Sequence, residues 1–134
     1  MSTGNKLWYL ASPYYSPSVR WERYTQVCLA AGQLIRAGVM VFSPIAHSHG
    51  IYDQCPDIGG SWEDWAQWNA EMILCCDGCI VLALDGWEAS VGIKAEIEAF
   101  HRQNKPIVYT NPKLISTAIA YIKGGWVDAK GGLL

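Results

Sequence analysis

Charged side chains are scarce in this sequence, and their scarcity excludes several classes of protein. Lys, Arg, Asp and Glu make up 16% of the 134 residues, against about 25% in an average domain. The net charge is −2, and no basic stripe alternates with the aromatic residues, which argues against a protein that grips polymeric nucleic acid by its phosphates. The chain also lacks charge runs, internal repeats and low-complexity tracts, so a disordered or repetitive protein is not expected.

Long apolar runs are lacking as well. No stretch reaches the roughly 18 residues that a membrane span needs, and the first six residues lack the apolar core of a signal peptide. We therefore expect a cytoplasmic protein without a membrane partner. The five cysteines are odd in number and lie mostly in apolar stretches, so free thiols are a better interpretation than a disulfide framework.

Apolar and aromatic residues, in contrast, are plentiful. Apolar residues make up 51% of the chain, enough for the core of one domain that spans residues 1–134. The seven Trp and seven Tyr exceed what one small core needs. We expect some of them in a ligand pocket or a subunit interface, where aromatic residues are enriched.

Short apolar stretches alternate with amphipathic ones along the chain. The pattern predicts strands at 7–11, 39–42, 79–84 and 107–110, with helices that begin after Ser16, Ser61, Ser90 and Asn111. Residues 45–60 are interpreted as a long polar loop, and the glycine-rich tail 124–134 as mobile. Alternating strands and helices predict a parallel sheet between helical layers, and ligands bind such sheets beyond the carboxyl ends of the strands.

One glutamate stands out on the helix after Ser90. At helical spacing, Glu96 lies about 60° from the apolar stripe, whereas Glu98 points nearly away from it. Glu96 is therefore expected to be partly buried above the central strand, where a carboxylate is a candidate functional group. From spacing alone, a pair with Arg102 or with a neighbouring helix is the favoured explanation of its position.

Ser90 and Gly92 open the same helix. The free N–H groups and the positive end of a helix attract anions. Ser90 would add a hydroxyl, and Gly92 is expected to let a ligand approach the backbone closely. Plain helix capping is the alternative for Ser90.

Three motifs carry a family resemblance: Ser-x-Gly-x-x-x-Glu at 90–96 after an apolar strand and an Asp-Gly loop, Tyr-Leu-Ala-Ser-Pro-Tyr at 9–14, and Lys-Pro-Ile-Val at 105–108. They resemble the nucleoside 2-deoxyribosyltransferase superfamily, which includes the 2′-deoxynucleoside 5′-monophosphate N-glycosidases. The chain looks closest to small uncharacterised bacterial and phage-encoded relatives. The resemblance implies a flavodoxin-like (Rossmann-like) three-layer α/β sandwich with a central parallel sheet of four to five strands.

The resemblance also implies catalytic roles. In that family the motif glutamate attacks the anomeric carbon of deoxyribose, so Glu96 is the implied nucleophile. Ser90 stands where the monophosphate N-glycosidases hold the 5′-phosphate, whereas the transferases that act on free nucleosides carry aspartate there. Asp85 matches the aspartate of the Asp-Gly loop and is implied to assist the departing base; its alternative is a turn cap. Many members carry an acid in the preceding helix where this chain has Asn69, with Asp64 as a weak substitute.

The binding residues implied by the resemblance begin with the loop after the first strand. Ser12, Pro13 and Tyr14 are expected to contact the sugar and the base. For the phosphate, Arg20 is preferred to Arg23 because it lies nearer the end of the strand. Both arginines are otherwise solvated helix residues.

Two further features have open interpretations. Trp87 stacks on a base or covers the site, or it packs in the core. His47 and His49 contact phosphate or base, or they lie on the surface without a ligand. A zinc site that joins them to Cys76 and Cys79 is rejected, because the cysteines are expected near the opposite end of the sheet.

These expectations describe an enzyme without a metal or other cofactor. A carboxylate beside the anomeric carbon can stabilise the cation-like transition state of N-glycosidic cleavage or form a covalent deoxyribosyl-enzyme ester. The substrate would be a 2′-deoxynucleoside 5′-monophosphate or a related nucleoside, and the product that of hydrolysis or transfer. A glycosidase for another N-riboside or a modified nucleotide is possible, and a non-catalytic nucleotide-binding or sensing module is the alternative from another class. Since relatives assemble, a homo-oligomer, dimer or tetramer, is expected.

Overall fold

Four short strands form the central sheet of the computed structural model, which describes residues 5–125. They are β1 (Leu7–Ala11), β2 (Met40–Phe42), β3 (Gly78–Leu82) and β4 (Ile107–Thr110). The spatial order is β2-β1-β3-β4, and each neighbouring pair is parallel. Every residue of the purely apolar β3 is buried, as expected for a strand covered on both faces.

Helices cover both faces of the sheet. They are α1 (Arg20–Arg36), α2 (Pro44–Gln54), α3 (Trp62–Cys75), α4 (Val91–Arg102) and α5 (Ile115–Lys123). Because side chains alternate along a strand, Leu10 of β1 packs on the side of α1 and α5, and its neighbour Tyr9 packs on the side of α3 and α4. Tyr9 thereby faces the helix that carries Glu96.

The predicted α/β architecture is confirmed. The sheet is parallel, has four strands in the described residues and lies between two helical layers, consistent with a flavodoxin-like three-layer sandwich. The predicted caps form too. The Ser90 side chain accepts a hydrogen bond from the Ile93 N–H at 3.2 Å, and Ser61 with Asp64 makes a capping box at the start of α3.

The prediction of a loop over residues 45–60 is wrong, because most of this segment is α2. The helix starts as many helices do: the Ser43 side chain accepts a hydrogen bond from the Ala46 N–H at 3.0 Å, and Pro44 takes the first helical position. After Pro44 its buried residues are the polar Ser48 and His49, and its aliphatic contact with the core comes from the partly buried Ile45. A search for apolar periodicity therefore misses it.

Smaller differences concern the ends of elements. Hydrogen bonds from the N–H groups of Val19 and Arg20 to the Ser16 carbonyl form a turn that leads into α1, so the helix itself begins three residues later than Pro17. Most of the tail predicted to be mobile, residues 126–134, lies outside the described residues. Within residues 5–125, none of the helices has both the length and the apolar character needed to cross a membrane.

Candidate functional site

A cavity of about 470 Å³ opens beyond the carboxyl ends of the strands. It lies where the chain order reverses between β1 and β3, the position at which parallel sheets bind ligands. The loop after β1 and the first turns of α3 and α4 supply most of its walls, α1 adds one residue, and α2 adds two. We refer to it as the Glu96 cavity, lined among others by Ser12, Tyr14, Arg23, Trp62, Trp65, Asn69, Ser90, Gly92 and Glu96.

Glu96 is the buried acid of this cavity. Its side chain lies on α4 and is 6% exposed, and its carboxylate accepts a hydrogen bond from the Tyr9 phenol. Burial raises the pKa of Glu96 from 4.5 to about 7, and the Tyr9 hydrogen bond opposes this rise. The alternative that Glu96 pairs with Arg102 does not hold, because Arg102 pairs with Glu98 at 2.9 Å. Among the described residues, Glu96 has no ion-pair partner.

Tyr9 is a candidate functional residue that sequence reasoning did not single out. Burial raises its pKa well above the usual value, and the nearby Glu96 charge raises it further, so the phenol stays protonated and donates. The sequence did contain a signal for Tyr9, because it lies in the motif at 9–14 and the alternation of side chains along β1 places it on the α4 face of the sheet.

Ser12 and Asn69 add polar groups to the buried part of the cavity. Ser12 follows β1 and is 5% exposed, and its Oγ has no hydrogen-bond partner within the described part of the chain. Asn69, on α3, is buried and lines the same space. An unsatisfied buried hydroxyl costs about 1–3 kcal/mol, so a ligand that hydrogen-bonds Ser12 would recover this energy. Pro13, next to Ser12, is fully buried and is not among the lining residues.

Ser90 and Gly92 both line the cavity at the start of α4. The room expected at Gly92 for a ligand is filled by the Trp62 indole, whose Cδ1 lies 2.7 Å from where a Cβ would stand. Gly92 thus allows the first turns of α3 and α4 to approach each other. Sequence reasoning placed Trp62 on its helix but did not assign it to the cavity.

The two candidate arginines are separated by the structure. Arg23 lines the cavity, and its Nη2 donates to the Asp85 carbonyl at 2.9 Å. Gly86 allows this approach, since its φ is +85° and a Cβ there would lie 2.9 Å from the Arg23 guanidinium. Arg20, the preferred candidate, is not in the lining; its guanidinium lies over the rings of Trp21 and Tyr52.

Asp85 and Trp87 lie outside the cavity although they belong to the same loop. Asp85 is exposed and lines a second space of about 510 Å³ beyond β3 and β4, together with Asn111 and Lys113. Trp87 packs against the core on the α4 side, with its ring centroid 5.9 Å from that of Tyr109. Of the two interpretations of Trp87, the structure therefore shows packing.

The two histidines of α2 have different surroundings. His49 is 2% exposed, and its Nδ1 is 2.7 Å from the hydroxyl of Tyr14, which lines the cavity. Burial lowers the pKa of His49. His47 stacks on the Trp68 ring at 5.2 Å and is not in the lining. In residues 5–125 no group of three or more His, Cys, Asp or Glu side chains could hold a metal ion.

The chain belongs to a family described as a domain of unknown function (DUF1937), whose family model matches residues 6–111. The matched residues include every residue that lines the Glu96 cavity. A search of curated proteins found no match. Because the description of the family assigns no activity, the resemblance to deoxyribosyltransferases and N-glycosidases stays a prediction.

Proposed function

We propose that the protein cleaves the N-glycosidic bond of a 2′-deoxynucleoside 5′-monophosphate, by hydrolysis or by transfer of the sugar to another acceptor. The observation that carries the proposal is the Glu96 carboxyl group, which is buried in a cavity, is held by the Tyr9 phenol and has no ion-pair partner within residues 5–125. A volume of about 470 Å³ is within the range of small-molecule sites. Asp85 is not retained as a catalytic residue in this proposal, since it does not line this cavity.

The chemistry requires a carboxylate in this kind of environment. As the bond between the anomeric carbon and the base breaks, positive charge develops on the sugar ring, and a desolvated carboxylate stabilises it more strongly than a hydrated one would. Collapse of the pair gives a sugar ester on Glu96, which an acceptor opens with overall retention. With a pKa of about 7, a large share of Glu96 is ionised at neutral pH.

Two features support a phosphate at the mouth of the cavity. The first turn of α4, capped by Ser90, directs free backbone N–H groups outward. The Arg23 guanidinium, held by the Asp85 carbonyl, adds a positive charge to the same lining. Free nucleosides would gain from neither feature.

Aromatic side chains support a planar base as the leaving group. Tyr14, Trp62 and Trp65 line the cavity from two elements: Tyr14 lies in the loop after β1, and both tryptophans lie in the first two turns of α3. Rings of this size offer stacking surface to purines and pyrimidines alike. The proposal therefore specifies a nucleotide without specifying its base.

The test incubates the protein with the four common deoxynucleoside monophosphates and measures the released free base by chromatography. We compare wild type, Glu96→Gln, and Glu98→Gln as the matched control on the exposed face of α4. Wild type and the control should release base, and Glu96→Gln should be at least about 1,000-fold slower, as expected when a nucleophile is removed. Equal turnover by Glu96→Gln and wild type would reject the proposal.

A nucleotide-binding module without catalysis is the second candidate. It is favoured by one observation: apart from Glu96, the only carboxyl group in the described lining is the exposed Glu63, and Asn69 stands where many similar enzymes carry an acid. This alternative predicts saturable quenching of tryptophan fluorescence by monophosphates, no base release with any acceptor, and unchanged binding by Glu96→Gln.

A further inference from the structure

The Glu96 cavity lacks an obvious acid for the departing base. Besides Glu96, its titratable lining residues are Tyr14, Tyr15, Arg23 and Glu63. Arg23 does not release its proton at any relevant pH, and Tyr15 and Glu63 are exposed. Tyr14 is 7% exposed. It is therefore the one buried O–H acid in the described lining besides Glu96.

The Tyr14 hydroxyl is held by a buried histidine. His49 Nδ1 lies 2.7 Å from it, and the His49 ring stacks on Tyr24 at 3.8 Å and meets the edge of Trp21 at 4.4 Å. These rings fix the imidazole, and nothing in the described residues contacts its Nε2 by a hydrogen bond. The imidazole therefore holds the Tyr14 hydroxyl oxygen in a fixed position.

The tautomer of His49 decides which way Tyr14 donates. Burial lowers the pKa of His49, so at neutral pH the ring is neutral and carries one N–H. With the proton on Nε2, a buried N–H would have no acceptor, an arrangement that is rare for backbone N–H groups. With the proton on Nδ1, His49 donates to the Tyr14 oxygen, and the phenol proton is free to point into the cavity.

One cation near the pair offsets part of the cost of a transient phenolate. Burial raises the pKa of Tyr14, Tyr52 and Asp53 raise it further, and the Arg20 guanidinium opposes that rise by its charge and by a hydrogen bond. Arg20 and Asp53 are the charged groups that act on His49, with opposite effects on its pKa. A negative charge on Tyr14 would thus be stabilised by the His49 N–H and by Arg20.

We propose, resting on the function proposed above, that Tyr14 is the acid/base catalyst and His49 its positioning residue. As the bond from the anomeric carbon to the base nitrogen breaks, its electron pair stays on that nitrogen, which takes the Tyr14 proton, while Glu96 bonds to the carbon. A water then attacks the same carbon, gives one proton to the Tyr14 phenolate, and displaces Glu96 as a carboxylate. Free base and deoxyribose 5-phosphate leave, and both side chains return to their first state.

The experiment compares two leaving groups, since a good one needs no proton. Substrates are a deoxynucleoside monophosphate and 4-nitrophenyl 2-deoxyribofuranoside 5-phosphate, and Tyr14→Phe keeps the ring that packs on His49. We expect base release to fall by about 100-fold or more, the usual contribution of a general acid. Nitrophenolate should still appear in a fast burst of one per site, followed by slow turnover, because the ester forms but lacks its base for hydrolysis.

Two further variants complete the test. His49→Gln should show the same dependence on the leaving group, more weakly, and Tyr109→Phe, the same change on an exposed tyrosine outside the cavity, should behave as wild type. A nitrophenolate burst in Tyr14→Phe that is slowed as much as base release, or no loss on either substrate, would overturn the role of Tyr14 while leaving Glu96 in place. If wild type cleaves neither substrate, the proposed function fails and the role of Tyr14 fails with it.

Discussion

Replacing Glu96 by glutamine should stabilise the protein at neutral and alkaline pH. Burial raises the pKa of Glu96 from 4.5 to about 7, so the folded chain holds this proton more tightly than the unfolded chain. Stability from this group is complete below pH 4.5, declines as pH rises towards 7, and then levels off. At about 1.4 kcal/mol for each pKa unit, the ionised carboxylate costs the folded state about 3 kcal/mol above pH 7.

Glutamine removes this cost without removing the packing. It has the shape of a protonated glutamate, and its oxygen can still accept the hydrogen bond that Tyr9 donates. The free energy of unfolding of Glu96→Gln should match wild type near pH 4.5 and exceed it by about 3 kcal/mol at pH 8. Such a gain is a large share of the total stability of a small domain, about 5–15 kcal/mol.

The measurement is urea unfolding followed by tryptophan fluorescence at both pH values. Other titrating groups are common to both proteins and cancel in the difference. Glu98→Gln is the matched control: its ion pair with Arg102 is exposed, so the change should be about 0.5 kcal/mol or less. Two results would show that Glu96 is not a desolvated carboxylate. In one, Glu96→Gln is less stable than wild type at pH 8; in the other, its free energy of unfolding differs from that of wild type by the same amount at both pH values.

Two further predictions concern the proposed activity. The kcat/KM of wild type should rise about tenfold per pH unit up to about pH 7 and then level off, because the carboxylate form of Glu96 in the free enzyme is the active one; a rate that falls through this range would assign the proton to the active form. Arg23→Ala should lower kcat/KM for monophosphates about 10- to 100-fold, because one charge-assisted hydrogen bond is lost, and should leave kcat/KM for free nucleosides unchanged. The control Arg36→Ala, at the far end of α1, should alter neither value. Equal losses on both substrates would show that Arg23 does not bind the phosphate.

The sheet was predictable because each strand has a strong local signal. The β3 sequence is apolar throughout, and serine caps mark the starts of α3 and α4. These signals act over a few residues, so they can be read along the chain. The burial of Glu96 was predictable for the same reason, since helical spacing alone places it beside the apolar stripe.

The partners of Glu96 were less predictable, because they come from distant elements. Tyr9 is 87 residues away in sequence and reaches Glu96 only through the order of the strands in the sheet. Asp85 and Arg23 show the converse. Asp85 and Gly86 are adjacent in the loop but line different spaces, and the left-handed backbone of Gly86 leaves room for the Arg23 guanidinium.

The loss of α2 in the sequence-based prediction had the largest consequence. In a loop, His47 and His49 are interchangeable surface groups. In a helix two residues turn by about 200°, so the two rings face opposite sides. One stacks on Trp68, and the other supports Tyr14. Recognising Ser43 and Pro44 as a cap followed by a first-turn proline would have been enough to separate them.

The order of groups along α4 restricts how a monophosphate fits the proposed site. Ser90 precedes Glu96 by six residues, about 9 Å along the helix axis. The phosphate belongs near Ser90 and Arg23, where backbone N–H groups and a cation are available, and the anomeric carbon belongs beside Glu96. A deoxyribose with its 5′-phosphate extends between them. The base must then lie beyond Glu96 on the side of the sugar away from Ser90, and this is the side on which the proposed proton donor acts.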